Sequence, residues 1–166
     1  MDVGKLFFSP EGRIGRQDFW LGWLALFAIV TLTGWIPLIG LVIWVVSIYC
    51  SVCIYSKRLH DMGKSGWLQL WAYIPYVVAM VITIFAFGGL IGTAIAAQGS
   101  ISDIPEAIFA AGFVGGLIFA VLAWIIAFLI DLGFLLWVGI ADRELFDNRF
   151  GPAPASPDYR DAMPIV

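Results

Sequence analysis

The sequence predicts an all-α integral membrane protein, in which two transmembrane hairpins form a four-helix bundle and both termini lie in the cytoplasm. Hydrophobic residues make up 61% of the chain and charged residues 13%, whereas a globular protein has roughly 45–50% apolar residues. Two runs of 38 residues, 19–56 and 65–102, contain no charged residue. A soluble domain of 166 residues could not bury so much apolar surface, so the chain must use lipid as its solvent.

The first charge-free run is too long for one span. As a single helix, residues 19–56 would be about 57 Å long at about 1.5 Å per residue, roughly twice the thickness of the hydrocarbon core. Gly34-Trp35-Ile36-Pro37 interrupts the run, because proline lacks a backbone donor and disfavours helix at the preceding residue. We therefore predict helices over about 19–33 and 38–55, preceded by a polar arm over residues 1–18.

The rest of the chain predicts a second hairpin. A third helix is expected over about 67–87, with a kink at Pro75, and a fourth over about 113–138. Residues 88–116 are rich in Gly and Ala and carry Ser102 and Asp103 near their centre, which predicts an extramembrane loop with frayed helical ends. The transmembrane domain thus covers 19–140, and residues 141–166 form a tail whose prolines disfavour regular structure.

The basic residues set the predicted orientation. All nine Lys and Arg fall in the arm, in the central polar segment 56–67 or in the tail, and none falls in 34–37 or 88–116. With four passes the three basic segments share one side, which the positive-inside rule places in the cytoplasm. Five passes would put the arginines of the tail on the other side, so we favour four. The first apolar run lacks a small-x-small site, and we expect no cleaved signal peptide.

Three sequence motifs bracket the predicted helices. They are Gly12-Arg13-Ile14-Gly15-Arg16-Gln17-Asp18-Phe19-Trp20, then Arg58-Leu59-His60-Asp61-Met62-Gly63-Lys64-Ser65-Gly66-Trp67, and Asn148-Arg149-Phe150-Gly151-Pro152. Together they resemble the DUF805 family of small bacterial inner-membrane proteins. Ala153 stands where that family usually has an acid, and residues 88–110 are longer than its usual loop. The resemblance implies a multi-pass inner-membrane location and no particular activity.

Eleven residues of the first two motifs are candidates for a structural or lipid-contacting role. They are Arg13, Arg16, Phe19, Trp20, Arg58, His60, Asp61, Gly63, Ser65, Gly66 and Trp67.

The central polar segment suggests two kinds of phosphate contact. Gly63-Lys64-Ser65 ends like a nucleotide-binding loop, but Arg58 occupies the position where that motif needs its first glycine, and no strand precedes it. We therefore reject nucleotide binding. Lys57, Arg58 and Lys64 either contact the phosphates of anionic lipids or serve only to fix the topology.

His60-Asp61 is either a proton-handling pair or part of a structural fastening. Imidazole titrates near neutral pH, and a carboxylate can orient it. A metal site is not expected, because the chain has no second histidine and a site needs three or four ligands. In the structural interpretation, hydrogen bonds attach the arm to the central segment, and their partners are Arg58, His60 and Asp61 on one side and Arg13, Arg16 or Asp18 on the other.

Asp131 is the sole charged residue between Ala107 and Ala141. An acid inside a spanning helix costs about 3 kcal/mol unless it is paired or hydrated. Two interpretations remain open for it. It is part of a proton or cation relay, or it is a carboxylate that forms a buried salt bridge or extends to the interface.

Small residues within the predicted helices favour packing over chemistry. Cys50 and Cys53 share one helix face, and a thiol–disulfide relay would need a second cysteine pair. Two further pairs have the spacing that lets helices approach closely, although glycine is also common in loops; they are Gly88 with Gly92 and Gly112 with Gly116.

The sequence favours a non-enzymatic membrane component without a cofactor, whose basic cytoplasmic face contacts lipid head groups or a partner. The alternative is a small oligomeric transporter or channel that uses Asp131 and the Arg58/His60/Asp61 group. A membrane enzyme is the weakest hypothesis, because no nucleophile–base pair or ligand set is evident. Nucleic-acid binding is not expected, because the basic residues form no stripe. The expected partners are membrane lipids, a second copy of the chain or another membrane protein.

Overall fold

A computed structural model describes residues 3–96 and 106–154, and in these ranges the chain forms helices and turns without a β-strand. The helices described are α1 Val3–Phe8, α2 Arg16–Thr33, α3 Ile39–Asp61, α4 Leu70–Ala96 and α5 Glu106–Ile140. A 3₁₀ turn, Gly66–Gln69, precedes α4. The fold divides into two compact units. The terminal unit comprises Met1–Gln69 and Leu135–Val166, and the α4–α5 unit comprises Leu70–Phe134.

Three segments are long and apolar enough to cross a membrane: Ile39–Asp61, Gly66–Gly89 and Gly112–Ile140. They confirm the predicted all-α, membrane-type class. α2 is not in this set, and its first turn, Arg16-Gln17-Asp18, is polar and lowers its hydropathy. The fourth span, the bundle arrangement and the cytoplasmic termini stay predictions.

α3 is longer at its polar end than the sequence suggested. We predicted that the membrane helix ends near Tyr55 and that residues 56–67 form a loop in water, but the helix continues to Asp61. Lys57, Arg58 and Asp61 are buried there, with 4%, 0% and 0% of their surface exposed. The prediction was wrong because it assumed that these charges must reach water, whereas protein groups bind them.

α4 and α5 extend far into the predicted outer loop. α4 remains helical through Pro75 and ends at Ala96, and α5 begins at Glu106, so most of residues 88–116 is helical. In an apolar environment a helix satisfies its own backbone hydrogen bonds, which outweighs the low helix propensity of glycine. Ser102 and Asp103 of the predicted loop lie outside the described residues, as do residues 155–166 of the predicted tail.

A strained turn joins α2 to α3 at the predicted break. Leu38 has φ 65° and ψ −54°, and Ile39 N donates a hydrogen bond to Pro37 O at 2.7 Å. This is the positive-φ form of the γ-turn, which is rare and strained. Gly40 packs against the end of α2, where a Cβ on it would lie 2.8 Å from Thr33 O. The turn therefore brings the two helix ends into close contact.

The apolar core of the terminal unit lies between α2 and α3. Phe19 is fully buried, and its ring meets those of Tyr55 and Trp20 edge to face, with centroids 5.3 and 5.7 Å apart. A Cβ on Gly22 would lie 3.0 Å from Ile54 Cδ1, so the lack of a side chain on Gly22 leaves room for Ile54. α2 therefore packs against α3 at Ile54 and Tyr55, next to the polar end of α3.

In the α4–α5 unit, a small residue permits a close helix contact. A Cβ on Gly116 would lie 3.2 Å from Ala86 Cβ, whereas Gly88 has nothing within 4 Å of that position. The rings of Phe87 and Phe113 meet edge to face at 5.9 Å. Of the predicted small-residue pairs, Gly116 is thus a packing residue and Gly88 faces open space.

Candidate functional site

The polar end of α3 carries a buried network that we call the arginine–aspartate cluster, made of Arg13, Arg58 and Asp61. Asp61 binds both guanidinium groups: Oδ1 lies 3.1 Å from Arg13 Nη2, and Oδ2 lies 2.6 Å from Arg58 Nη1. All three side chains have 0% of their surface exposed. Arg58 and Asp61 share a face because residues three apart are neighbours on a helix.

Arg13 joins the N-terminal arm to the tail. Its Nε donates to Asp61 Oδ1 at 3.2 Å, and its Nη1 donates to Phe146 O at 2.7 Å and Gly151 O at 3.5 Å. Its Nη2 donates to Glu144 O in addition to Asp61. A guanidinium has five N–H donors, so every donor of Arg13 is used within the protein.

Arg58 binds the C-terminal end of α5. Its Nε donates to Val138 O at 3.0 Å, and its Nη2 donates to Ala141 O at 2.7 Å. The last carbonyls of a helix lack partners inside the helix and form the negative end of its dipole. α5 ends at Ile140, so Arg58 both caps this end and neutralises it.

Arg16 binds the same helix end from outside the cluster. Its Nε and Nη2 donate to Ala141 O at 3.3 and 3.1 Å, and its Nη2 lies 2.8 Å from Asp142 Oδ1. This ion pair is exposed, unlike those of Arg13 and Arg58. The sequence left open which arginine binds Asp61, and the structure places Arg13 there.

The tail covers the end of α3. Glu144 N donates to Asp61 O at 2.9 Å, and Asn148 Nδ2 donates to His60 O at 2.9 Å and to Glu144 Oε2 at 2.7 Å. These bonds satisfy carbonyls that the helix end leaves open. Gly63, with φ +69°, turns the chain beside them, and a Cβ on it would overlap the Glu144 carboxylate.

His60 is held between the arm and the tail. Its ring stacks on that of Phe150, with centroids 3.9 Å apart and planes 6° apart, and its Nδ1 lies 3.3 Å from Gly12 O. A carbonyl oxygen only accepts, so Nδ1 carries the proton. The Arg149 guanidinium lies 4.6 Å from the Phe150 ring centre. His60 and Asp61 are adjacent in sequence but bind different groups.

Lys57 attaches α1 to α3. Its ammonium donates to Leu6 O at 2.8 Å and also to Lys5 O, which are carbonyls of the last turn of α1. Of the cations that the sequence suggested for a lipid-contacting surface, Arg58 and Lys57 are therefore turned inward. Lys64 is exposed, with Nζ 5.5 Å from the Trp137 ring centre.

The other predicted motif residues pack around the cluster or lie at the surface. Trp20 fits against Gly139, where a Cβ would overlap its ring, and Gly66 lies so close to Ser56 that a Cβ would be 2.8 Å from Ser56 Oγ. Ser65 Oγ accepts a hydrogen bond from Trp67 N at 3.4 Å. Trp67 is 78% exposed.

Asp131 belongs to the α4–α5 unit, whereas Arg58, His60 and Asp61 belong to the terminal unit. It is half-buried, and its Oδ2 accepts a hydrogen bond from Tyr76 Oη at 3.4 Å. Cys50 and Cys53 are buried free thiols. Within residues 3–96 and 106–154, no group of three or more His, Cys, Asp and Glu side chains is arranged to hold a metal ion.

A family model described as "Protein of unknown function (DUF805)" matches residues 7–152. The chain belongs to the DUF805 family. This confirms the resemblance that the three motifs suggested, and the matched range contains every member of the arginine–aspartate cluster and its partners. No solved structure matches the chain.

Two relatives of this DUF805 chain carry the name "Uncharacterized protein YiiR", one from Escherichia coli strain K12 and one from Escherichia coli O157:H7. Each is 34% identical over 90 residues, which covers 49% of this chain and 59% of the relative. The match thus spans less than two thirds of the relatives, and their name states no activity.

The sequence did not predict many of the residues that surround the arginine–aspartate cluster. Glu144, Asn148 and Phe150 were not among the candidate residues, although Asn148 and Phe150 lie in the third motif and could have been included on that signal. Glu144 contributes its backbone as well as its carboxylate. Backbone carbonyl acceptors have no sequence signature, so their role could not be found without the structure.

Proposed function

We propose that this protein is a multi-pass component of the bacterial inner membrane with four spans and cytoplasmic termini. In this proposal it is not an enzyme, and it acts through a basic cytoplasmic face that contacts anionic lipid head groups or a partner protein. The nine Lys and Arg near three membrane boundaries support this orientation. Membership of DUF805 is consistent with it.

One observation carries the proposal: all five donors of Arg13 are bound by Asp61 and by carbonyls of the tail. A guanidinium in that state has no donor left for a substrate. The cluster therefore serves to fasten the arm and the tail to α3. Contacts outside the protein are left to exposed cations, among them Lys64 and Arg149.

A charge-reversal experiment tests the proposed contact. The double variant Lys64→Glu/Arg149→Glu should lose anionic lipid or a partner that co-purifies with the unmodified protein in mild detergent, because both cations are exposed. The variant Lys64→Arg/Arg149→Lys keeps the charge and should retain the same molecules, as measured by mass spectrometry. If the charge-reversed variant and the unmodified protein co-purify with the same lipids and proteins, the basic-face proposal is refuted.

Thiol labelling tests the proposed orientation separately. Ser102→Cys and Ser156→Cys are introduced singly into a chain in which Cys50 and Cys53 are alanine. An impermeant thiol reagent applied to intact cells should reach position 102 and fail to reach position 156. Labelling of both positions, or of neither, would contradict four passes with a cytoplasmic tail.

A transporter is the second candidate, because Asp131 is a half-buried acid inside a candidate span and binds Tyr76. Ionisable residues at such positions often belong to ion pathways. Protein reconstituted into liposomes under a pH gradient, with a pH-sensitive dye inside, distinguishes the two candidates. A proton flux that Asp131→Asn abolishes would support transport, and equal background fluxes for both proteins would remove this candidate.

A further inference from the structure

A groove of about 650 Å³ opens in the terminal unit beside the arginine–aspartate cluster. Its polar lining comes from Lys5, Ser9, Glu11, Arg13 and Lys57, and Phe150 is among its apolar lining residues. Lys5 and Glu11 are exposed, whereas Arg13 and Lys57 are buried. The groove therefore connects the protein surface to two buried cations.

Lys57 is a buried cation of this groove, and no acidic side chain among the described residues contacts it. Arg13 and Arg58 share the carboxylate of Asp61, whereas Lys57 binds the backbone carbonyls of Lys5 and Leu6. A buried charge is stabilised far better by an opposite charge. The groove is the route by which an anion can reach Lys57.

Lys57 keeps a donor for such an anion. Two of its three N–H groups are directed at the carbonyls of Lys5 and Leu6, and no described residue accepts the third. Ser9 Oγ accepts a hydrogen bond from Glu11 N at 3.3 Å, which leaves its own proton to donate. An ammonium group and a hydroxyl that face one cavity suit a phosphate, whose oxygens accept from both.

We propose that this groove binds the phosphate of an anionic membrane phospholipid. A lipid is the expected source because Lys57 lies one turn from the polar end of Ile39–Asp61, a candidate span, and phosphates line the membrane at that depth. The inference rests on the proposed function, which puts this end of the protein at the cytoplasmic leaflet. It goes further by assigning recognition to one groove instead of a diffuse basic face.

The test uses the full-length protein in uncharged detergent and measures lipid binding by native mass spectrometry. Dioleoylphosphatidylglycerol should bind at least fivefold more tightly than dioleoylphosphatidylcholine, which has the same chains and no net charge. Lys5→Gln should weaken phosphatidylglycerol binding about fivefold, because a basic residue near an anionic surface contributes about 1 kcal/mol. Glu11→Gln removes the acid from the groove and should strengthen binding about two- to fivefold.

Lys64→Gln is the matched control, because Lys64 is an exposed cation that does not line the groove. Its loss of phosphatidylglycerol binding should be smaller than that of Lys5→Gln, because Lys64 belongs to the basic face and does not line the groove. An equal loss in Lys5→Gln and Lys64→Gln would overturn the groove and leave the basic-face proposal intact. Equal binding of the two lipids by every protein would overturn the inference, as would displacement of phosphatidylglycerol by millimolar inorganic phosphate, which would indicate a soluble anion.

Discussion

Asp61 is the residue on which the two buried arginines depend. Its carboxylate oxygens lie 3.1 Å from Arg13 and 2.6 Å from Arg58. We expect Asp61→Asn to lower the free energy of unfolding by about 3–5 kcal/mol, because removing one partner of a buried ion pair leaves uncompensated charge. Thermal unfolding in detergent micelles measures the change.

Asp142→Asn is the control for that substitution, because Asp142 also binds an arginine but is fully exposed. Exposed ion pairs contribute little, so its unfolding midpoint should stay near that of the unmodified protein. If the two variants lose the same stability, burial of the cluster is not what makes Asp61 important.

Gly63 occupies a position that only glycine fits well. Its φ is +69°, and a Cβ there would overlap the Glu144 carboxylate. Gly63→Ala should destabilise the protein by about 1–2 kcal/mol from backbone strain alone, with an added cost for moving Glu144. Gly88→Ala is the comparison, since Gly88 lies in α4 with nothing within 4 Å and alanine is the better helix former by about 0.5–1 kcal/mol. Unfolding midpoints that fall in both variants would contradict this account.

At the scale of elements, the α2–α3 turn contains strain that can be removed. Leu38 is 78% exposed and has φ 65°, so Leu38→Gly loses little packing and relieves about 1–3 kcal/mol of backbone strain. Part of this gain is offset by the greater freedom of glycine in the unfolded chain. We expect a higher unfolding midpoint in micelles. Ile39→Gly, at the first residue of α3, should lower the free energy of unfolding by about 1 kcal/mol and lower the midpoint with it. A lower midpoint for Leu38→Gly would disprove strain at Leu38.

Apolar elements were predictable where the pattern is strong, and polar ends were not. The chain breaks between α2 and α3 at the predicted residues 34–37, and α3 begins within one residue of the predicted start. Both were predictable because proline and a long charge-free run are local signals. The polar end of α3 was misjudged because helical residues 56–61 resemble a loop when their partners are unknown. Those partners are carbonyls at residues 138–151 and in α1, which only long-range folding brings near.

At the scale of the whole molecule, the tail is part of the fold of the terminal unit. A chain that ends at Asp142 lacks the carbonyls of Glu144, Phe146 and Gly151 that bind Arg13. Each hydrogen bond to a charged group contributes about 1.5–3 kcal/mol, so this truncation should unfold at a much lower temperature. A chain that ends at Pro154 keeps all three carbonyls and is the control. Equal unfolding midpoints for the two truncations would mean that the tail does not stabilise Arg13.

The large sequence separation between Arg13 and Gly151 also has a consequence for biosynthesis. Arg13 leaves the ribosome long before its last acceptor, since 138 positions separate the two. Until α5 and the following segment have been translated, Arg58 and Asp61 can neutralise each other, but Arg13 has no tail carbonyl to bind. Arg13 can pair with Asp61 as soon as α3 has been translated, so the arm is attached early, and the hydrogen bonds of this one side chain are completed only when the end of the chain has been made.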